Sequence, residues 1–314
     1  MIFNHKILLN VEPTPDCPAA CSMCPRDQIK DKGFMKVETF EKILKQVDSS
    51  FVWELDLAGR GEPTIHPEFA TFGEMMAGRG FVSGVVTTAV AMTDRNIDAA
   101  RNHFDRIRLS VSSYRKDVFD KVHIGLNHKK IWSNIASLAA AAADKTIVHL
   151  VGGPVIYDAL PETVEHLRQL GFTRIHLFPL WNRGGAFAAP QDNLRRQQIM
   201  RDLNLPASES EYWSGTGKLK YLANAAASRI VNSKFCAVGN SSLSIAHDGK
   251  ILGCYQDFGH TSIIGHLDSH PLSEIMAGRT RQVGNMKICN GCNANVAAMF
   301  KGKSRVIPIK SAQA

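Results

Sequence analysis

At 314 residues, with 44% apolar and 21% charged side chains, the chain suits one large α/β domain and a small appendage, and its composition is that of a globular protein. No apolar run reaches the ~18 residues that a membrane span needs, and the first residues run straight into a cysteine-rich stretch, so neither a membrane partner nor a cleavable signal is expected. The formal charge of +8 admits an anionic substrate or nucleic acid, although no recognised nucleic-acid-binding module accompanies it, and seven cysteines, an odd number, are few for a disulfide scaffold.

Strand-like and helix-like stretches alternate. Ile7–Val11 reads as a strand that leads into a loop carrying Cys17, Cys21 and Cys24. Phe40, Ile43, Leu44 and Val47 recur at helical spacing and mark 37–49 as an amphipathic helix. Trp53–Ala58 is the next strand and 67–78 the next helix. Phe81–Thr88, rich in β-branched residues, is the third strand. A helix over 94–103 follows, with Thr93 or Asp94 as its N-cap. Ile107–Ser112 is the fourth strand, and the alanine-rich run 129–144 a helix of high propensity. Ile147–Val151 is the fifth strand, 161–170 a helix that Gly171 stops, and Arg174–Leu180 the sixth strand. Six β-α repeats imply a parallel sheet with right-handed crossovers. The pattern does not separate an open sheet from a partial barrel. From Gly184 to about Leu222 the periodicity weakens, with short helices such as 191–203. Beyond it, Leu243–Ile245 and Ile251–Leu252 flank His247-Asp248-Gly249-Lys250, a strong hairpin signal. The closing Lys301, Lys303, Arg305 and Lys310 read as a solvated basic tail.

Cys17, Cys21 and Cys24 have the spacing Cys-x3-Cys-x2-Cys, and no further Cys occurs before Cys236. Three thiolates on a 4Fe–4S cluster leave one iron open, and an open position separates a catalytic metal site from a closed structural one. A zinc site, the alternative, favours Cys-x2-Cys pairs completed nearby.

The run CPAACSMC resembles the cluster motif of the radical S-adenosylmethionine (SAM) superfamily. That resemblance implies that the amino and carboxylate groups of SAM chelate the open iron. One electron, from a reductant such as flavodoxin or ferredoxin, then cleaves SAM to methionine and a 5′-deoxyadenosyl radical. It implies a (β/α)6 partial barrel with the cluster at its C-terminal mouth, in keeping with the placement of sites at strand C-termini. It also suggests SAM contacts. Met23 stands where relatives pack a bulky side chain on the adenine. Gly59-Arg60-Gly61-Glu62-Pro63 resembles the family's Gly-Gly-Glu-Pro motif, with glycines for close approach to the ligand and Glu62 as acceptor for the SAM ammonium. Ser110 matches a Ser that contacts ribose or carboxylate, and Thr87-Thr88-Ala89 stands where many relatives have Thr-Asn-Gly. Asp120-Lys121-Val122-His123 resembles a run whose last position is usually an Arg on the SAM carboxylate; here it is His123, with Lys121 and Arg115 as alternates.

Cys236, Cys254, Cys289 and Cys292 form a second set, which the predicted hairpin helps to gather. Four thiolates close a site, and the residues alone fit zinc or a 4Fe–4S cluster equally. The pattern Cys236…Gly249-x4-Cys254…Cys289-x2-Cys292 resembles the twitch domain, a short SPASM-type extension of radical SAM enzymes. The likeness implies an auxiliary 4Fe–4S cluster on these four residues, and the seven-Cys layout resembles that of a dehydrogenase family of aminoglycoside biosynthesis. The expected divisions are a barrel over 1–189, a helical connection over 190–229, the auxiliary-cluster domain over 230–301 and the tail over 302–314. Overall this is an α/β fold: a partial (β/α)6 barrel with a small C-terminal iron–sulfur domain containing a β-hairpin.

Substrate contacts are expected from Trp181 and Arg183 at the end of the sixth strand, and less so from Tyr114 beside Arg115. His149 and His176, in strands five and six, read as satisfied buried histidines. The expected reaction is hydrogen abstraction from a substrate C–H, most simply an oxidative dehydrogenation of a small polar molecule with the auxiliary cluster accepting an electron. Radical modification of a ribosomally made peptide, or of a nucleotide or nucleic acid, is the alternative. A structural zinc- or iron-binding module is the reading outside enzymes. Ligating thiols must stay reduced, which points to the cytoplasm.

Overall fold

The computed structural model describes residues 6–183, 192–206, 239, 241–278, 286–290 and 292. Cys236, most of the expected connection over 190–229 and the basic tail lie outside the described residues.

Six parallel strands alternate with helices. The strands are β1 (Ile7–Val11), β2 (Val52–Leu57), β3 (Val82–Thr87), β4 (Arg106–Ser110), β5 (Thr146–Leu150) and β6 (Arg174–Leu177). Between them run α1 (Val37–Gln46), α2 (Phe69–Met76), α3 (Asp94–His103), α4 (Lys116–Val122), α5 (His128–Ala142) and α6 (Leu160–Gln169). Beyond them come α7 (Asn193–Asp202), β7 (Ser242–Ile245), β8 (Lys250–Leu252), β9 (Ile263–His266) and α8 (Leu272–Gly278). The sheet order is β6-β5-β4-β3-β2-β1-β7-β8-β9, with β1 to β7 parallel and β8 and β9 antiparallel. This is the mostly parallel sheet of a partial barrel. Among the described residues no helix is long and apolar enough to cross a membrane.

Local signals behave as their chemistry dictates. Thr93 caps α3 by accepting from Asn96 N. Gly171, at φ +93°, ends α6 in the left-handed region that only glycine adopts freely. Two features differ from expectation. The short helix α4 was not anticipated, and β6 ends at Leu177 rather than Leu180. Among the described residues β6 is an edge strand that pairs with β5 alone, and one last bond, Phe178 N to Leu150 O, closes the pairing before the chain leaves the sheet. The larger finding concerns the hairpin. Its first strand, β7, pairs in parallel with β1, Asn10 beside Ser244, so the cysteine-bearing C-terminal segment continues the sheet of the barrel.

The two faces of the strands differ in chemistry. Leu9, Val11, Leu55, Leu57, Val85, Leu109, Val148, Leu150, Leu177 and Ile245 join one apolar core with Phe40, Ile43 and Phe72 of the helices. The alternate positions carry Asn10, Glu54, Asp56, Arg108, His149, His176 and Ser244, of which all but half-buried His149 are buried. A parallel sheet covered on both faces normally reads apolar on both, so the polar inner face marks the place where the barrel is built for something other than packing.

Candidate functional site

The cysteine loop leaves β1 at the C-terminal edge of the sheet and is held by its own backbone. Asp16 N bonds Thr14 Oγ1, Thr14 Oγ1 donates to Gly33 O at 2.6 Å, and Gly33 N donates to Asp16 Oδ2 at 3.0 Å. Arg26 donates from Nη1 to Pro15 O and to Arg60 O, both at 2.9 Å, tying the loop to the Gly-x-Gly-Glu-Pro turn after β2. A Cβ at Gly61 would sit 2.1 Å from Thr14 O, and one at Gly59 would sit 2.6 Å from Glu12 Cβ. The glycines therefore admit the protein's own strand end and cysteine loop, a different neighbour from the ligand expected of them.

Burial and the charges of Cys17 and Cys24 push the Cys21 thiol up to about 12, with Glu62 adding to the effect. Burial likewise raises Cys17 to about 11. Cys17 and Cys21, held protonated for want of a counter-charge, become thiolates once cationic iron binds them, so this donor set fits a metal cluster. Cys24 N bonds Cys21 O at 2.9 Å, which closes the turn between the last two.

Beside the loop lies a buried ion cluster. Arg60, 6% exposed, donates to both Glu12 oxygens, at 2.7 and 2.8 Å, to Asp31 Oδ2 at 2.9 Å and to Phe258 O at 3.3 Å. Burial pushes the Glu12 carboxyl up, but the hydrogen bonds and charge of Arg60, with His247 nearby, outweigh it and hold the group at about 2. His247 Nδ1 lies 3.7 Å from Glu12, and His260 Nδ1 3.5 Å from Asp31. One guanidinium thus joins the end of β1, the cysteine loop and the segment after Cys254.

Glu62 is 3% exposed and already surrounded by donors. Its Oε1 accepts from Thr64 Oγ1 at 2.7 Å and Thr87 Oγ1 at 2.5 Å, and its Oε2 from Thr88 N and Oγ1, both at 2.8 Å. Pro63 follows as the first residue of a single-turn helix that Glu62 caps. The carboxylate fixes the turns after β2 and β3, and any ammonium brought to it shares it with the threonines. Ala89, in the place of a family glycine, has φ +60°.

Of the terminal cysteines, Cys254, Cys289 and Cys292 are buried. Gln256 N donates to Cys254 Sγ at 3.4 Å. Burial raises the Tyr255 hydroxyl to about 12, with Arg183 opposing and Cys254 and Cys292 adding. Arg183, at φ +48°, lies over the Phe258 ring at 5.2 Å. The end of the β6 segment therefore meets the Cys254–Phe258 turn, and Arg183 stands at that junction. Trp181 is half-buried on the same segment.

The inner face of the barrel holds residues whose role sequence reasoning missed. Arg108 bonds Glu54 at 2.8 and 3.0 Å and Asp56 at 2.8 and 2.9 Å, and Arg106 bonds Glu54 at 2.9 Å. A Cβ at Gly84 would lie 1.8 Å from Asp56 Oδ1, so glycine is the residue this carboxylate permits. Burial and Glu54 raise the Asp56 carboxyl to about 7 against the pull of Arg108. Asn10 Nδ2, Ser244 Oγ and His149 Nε2 are buried and have no partner among the described residues. Burial keeps His149 neutral. The available signal was period-two polarity, as in Val-Trp-Glu-Leu-Asp-Leu and Arg-Ile-Arg-Leu-Ser, inside strands that crossovers bury on both sides.

Tyr114 stacks on His166 of α6 at 3.8 Å and meets Trp132 of α5 edge-on at 5.0 Å, while its N–H bonds Thr163. That ring packs against the helix layer and stays half-buried. Met23 belongs to the apolar core, 8% exposed. Arg115 pairs with exposed Asp117. His123 is 1% exposed, and its Nδ1 lies 3.4 Å from Cys21 Sγ. Ser110 ends β4 on the inner face, in register with His149.

Residues 11–167 match the family model described as the Radical SAM superfamily, and residues 236–293 match an iron–sulfur cluster-binding domain, SPASM. The chain is 26% identical over 268 residues to the tungsten-containing aldehyde ferredoxin oxidoreductase cofactor-modifying protein of Pyrococcus furiosus, covering 81% of this chain and 72% of that one. In fold it is similar to BtrN in complex with AdoMet and 2-DOIA, with a TM-score of 0.56 and 16% identity over 92% of this chain and 93% of that one. It is also similar to Streptococcus suis SuiB bound to precursor peptide SuiA, with a TM-score of 0.71 and 14% identity over 93% of this chain and 71% of that one.

Proposed function

The chain belongs to the radical SAM superfamily, and on that premise we propose that it dehydrogenates a small polar molecule bound against the inner face of the barrel. As a member it is an enzyme that uses a 4Fe–4S cluster with SAM, and its SPASM region brings an auxiliary iron–sulfur cluster. Together these groups supply a carbon-centred radical able to take hydrogen from an unactivated C–H, and a second centre able to take an electron. In our reading Cys17, Cys21 and Cys24 hold the first cluster, and Cys254, Cys289 and Cys292 hold the second with Cys236. Glu62 and Ser110 orient SAM at the strand ends. In the same reading a flavodoxin- or ferredoxin-type reductant provides the electron, and the need for reduced thiolates favours a cytoplasmic location.

The observation that carries the substrate class is the inner face itself. Asn10, Ser244 and His149 stand at the next-to-last positions of β1, β7 and β5 with buried polar atoms that have no partner among the described residues. Such atoms are costly unless a partner arrives. The charged groups around them pair internally, which leaves hydrogen bonding rather than net charge to select the ligand. Arg183 closes the row on the auxiliary side and orients the substrate toward it. Oxidation of an alcohol to a ketone releases a hydrogen atom, a proton and an electron. Asp56, whose carboxyl burial and Glu54 raise against the pull of Arg108, is in our reading the acceptor of that proton. The cofactor-modifying protein of Pyrococcus furiosus supports a small-molecule substrate. The fold-level likeness to SuiB with its bound peptide supports radical peptide modification as the second reading.

The test is 5′-deoxyadenosine formation by the anaerobically reconstituted protein with metabolite, peptide and nucleic-acid fractions. Stimulation by the metabolite fraction is expected. Stimulation by peptides alone would transfer the substrate class to the second reading, and no product from a protein holding both clusters would defeat the radical chemistry.

A further inference from the structure

His123 occupies the position at which the family resemblance places a SAM-carboxylate contact, yet its only side-chain polar neighbour among the described residues is a cysteine. Its Nδ1 lies 3.4 Å from Cys21 Sγ, within the range of a nitrogen–sulfur hydrogen bond. The imidazole is held there from several sides. His123 follows α4, its N–H bonds Phe119 O at 2.7 Å, and its ring lies 4.9 Å from the Phe119 ring. The cysteine loop is fastened to the same segment by Ala20 N to Ile124 O at 2.8 Å and Ser22 N to Val122 O at 2.9 Å. Gly125, at φ +89°, passes so close that a Cβ would meet Pro18 O at 3.0 Å.

The chemistry of the pair fixes the proton. A thiolate bound to iron has no hydrogen to give, so a bond between these atoms needs the hydrogen on Nδ1. Nε2 then carries the lone pair, and it is buried with no partner among the described residues. The ring therefore gives up one of its two hydrogen-bonding atoms to keep the other on sulfur.

We propose, on the reading that Cys17, Cys21 and Cys24 hold the SAM-binding cluster, that His123 is a positioning residue whose Nδ1–H donates to the Cys21 thiolate and raises the reduction potential of that cluster. Reduction adds negative charge to the cluster, and a buried N–H directed at one of its sulfurs stabilises the reduced form more than the oxidised one. The bond makes the electron easier to accept from the reductant before SAM is cleaved.

The experiment is an EPR-monitored redox titration of the holoprotein, with the SAM-binding cluster identified by the change of its signal on adding SAM. His123→Phe keeps an aromatic ring and removes the donor. It is expected to lower the ratio of reduced to oxidised cluster at a fixed potential about tenfold, equivalent to a 59 mV fall for one electron, with iron content unchanged. His123→Asn, whose amide places an N–H near the Nδ1 position, is expected to stay within about threefold of wild type, the level that a retained donor predicts. An unchanged potential in an iron-replete His123→Phe overturns the inference. If the Phe variant loses iron, ENDOR of the wild-type reduced cluster in protein labelled with 15N-histidine decides. A histidine-nitrogen coupling upholds the bond, and none overturns it. A wild type that binds no iron at the three cysteines would instead defeat the cluster reading, a result distinguishable from an unchanged potential.

Discussion

The two faces of one sheet do different work in this protein. Leu9 and Asn10 are neighbours on β1 and both buried, yet Leu9 joins the core under the helices while Asn10 Nδ2 has no partner among the described residues. The outer face follows the ordinary rule that apolar area removed from water stabilises the fold. The inner face holds two carboxylates, two arginines and two histidines at the cost of desolvating them, and such a cost persists in a protein where binding uses the groups. Stability should therefore depend on one face, and catalysis on the other, except where the charge network makes the inner face structural too.

The largest effect tests that exception. Arg108→Met takes the bonded guanidinium from Asp56 and leaves Glu54 to Arg106, and should cost about 3–5 kcal/mol of stability in chemical denaturation. A loss below ~1 kcal/mol would mean that water or relaxation compensates the carboxylates and that the inner face carries no structural charge network.

Neighbouring residues give the sharpest contrast. Leu9→Ala should lose about 2–5 kcal/mol while leaving turnover per folded molecule unchanged. Asn10→Ala and Ser244→Ala should each move stability by less than ~1 kcal/mol, since neither breaks a hydrogen bond among the described residues. Each should lower kcat/KM about tenfold or more once the substrate is in hand. Equal activity in wild type and both polar variants would break the comparison, because the unpaired atoms would then be unrelated to the substrate.

The same contrast has a pH form. The Glu12 carboxyl sits at about 2 in the folded chain against 4.5 unperturbed. Its contribution is complete above about 4.5, is lost as pH falls toward 2, and amounts to roughly 3 kcal/mol. Asp56 works in the opposite sense, since its folded value of about 7 lies above 3.8. Its protonated form favours the fold at low pH, and that advantage disappears as pH rises from about 4 to 7. Unfolding free energies of Glu12→Gln and Asp56→Asn across pH 3–8 should flatten the acid arm and the neutral arm respectively. Identical curves for wild type and variants would show that neither carboxyl is held as described.

Much of the outer face was legible before any coordinates. Phe40, Ile43 and Leu44 announce α1 by helical spacing, Thr93 and Gly171 mark helix ends through cap chemistry, and each of the six strands lies within a few residues of its expected place. These are local properties, written in adjacent residues. The pairing of β7 with β1 joins segments more than two hundred residues apart in sequence, and no pattern within either strand specifies its partner. The Cys21–His123 contact, the Arg60 clasp and the Gly84–Asp56 fit are likewise products of that long-range assembly. Helix α4 escaped notice because seven residues with two lysines and two aspartates give little periodicity to read. The three cysteines were legible by spacing. Their thiol chemistry, set by mutual proximity and burial, was not.

The smallest effects lie at and just past β3, where two substitutions of equal size should differ in scale. Gly84 lies on the inner face, and its added methyl would collide with the Asp56 carboxylate and push it from Arg108, so Gly84→Ala should cost about 1–3 kcal/mol. Ala89, just past the strand, is held at φ +60° by its own N–H on Thr87 Oγ1 and by Asn134 Nδ2 on its carbonyl. Ala89→Gly would relieve about 1–2 kcal/mol of left-handed strain, against roughly 0.5–1 kcal/mol for the freer unfolded chain and about 0.8 kcal/mol for the lost buried methyl. These nearly cancel, so its denaturation midpoint should stay close to wild type. A clear stabilisation would assign the strain to Ala89 itself. A clear loss would show that the buried methyl, and with it the seat of Thr87 and Thr88 on Glu62, matters more to this loop than backbone freedom does.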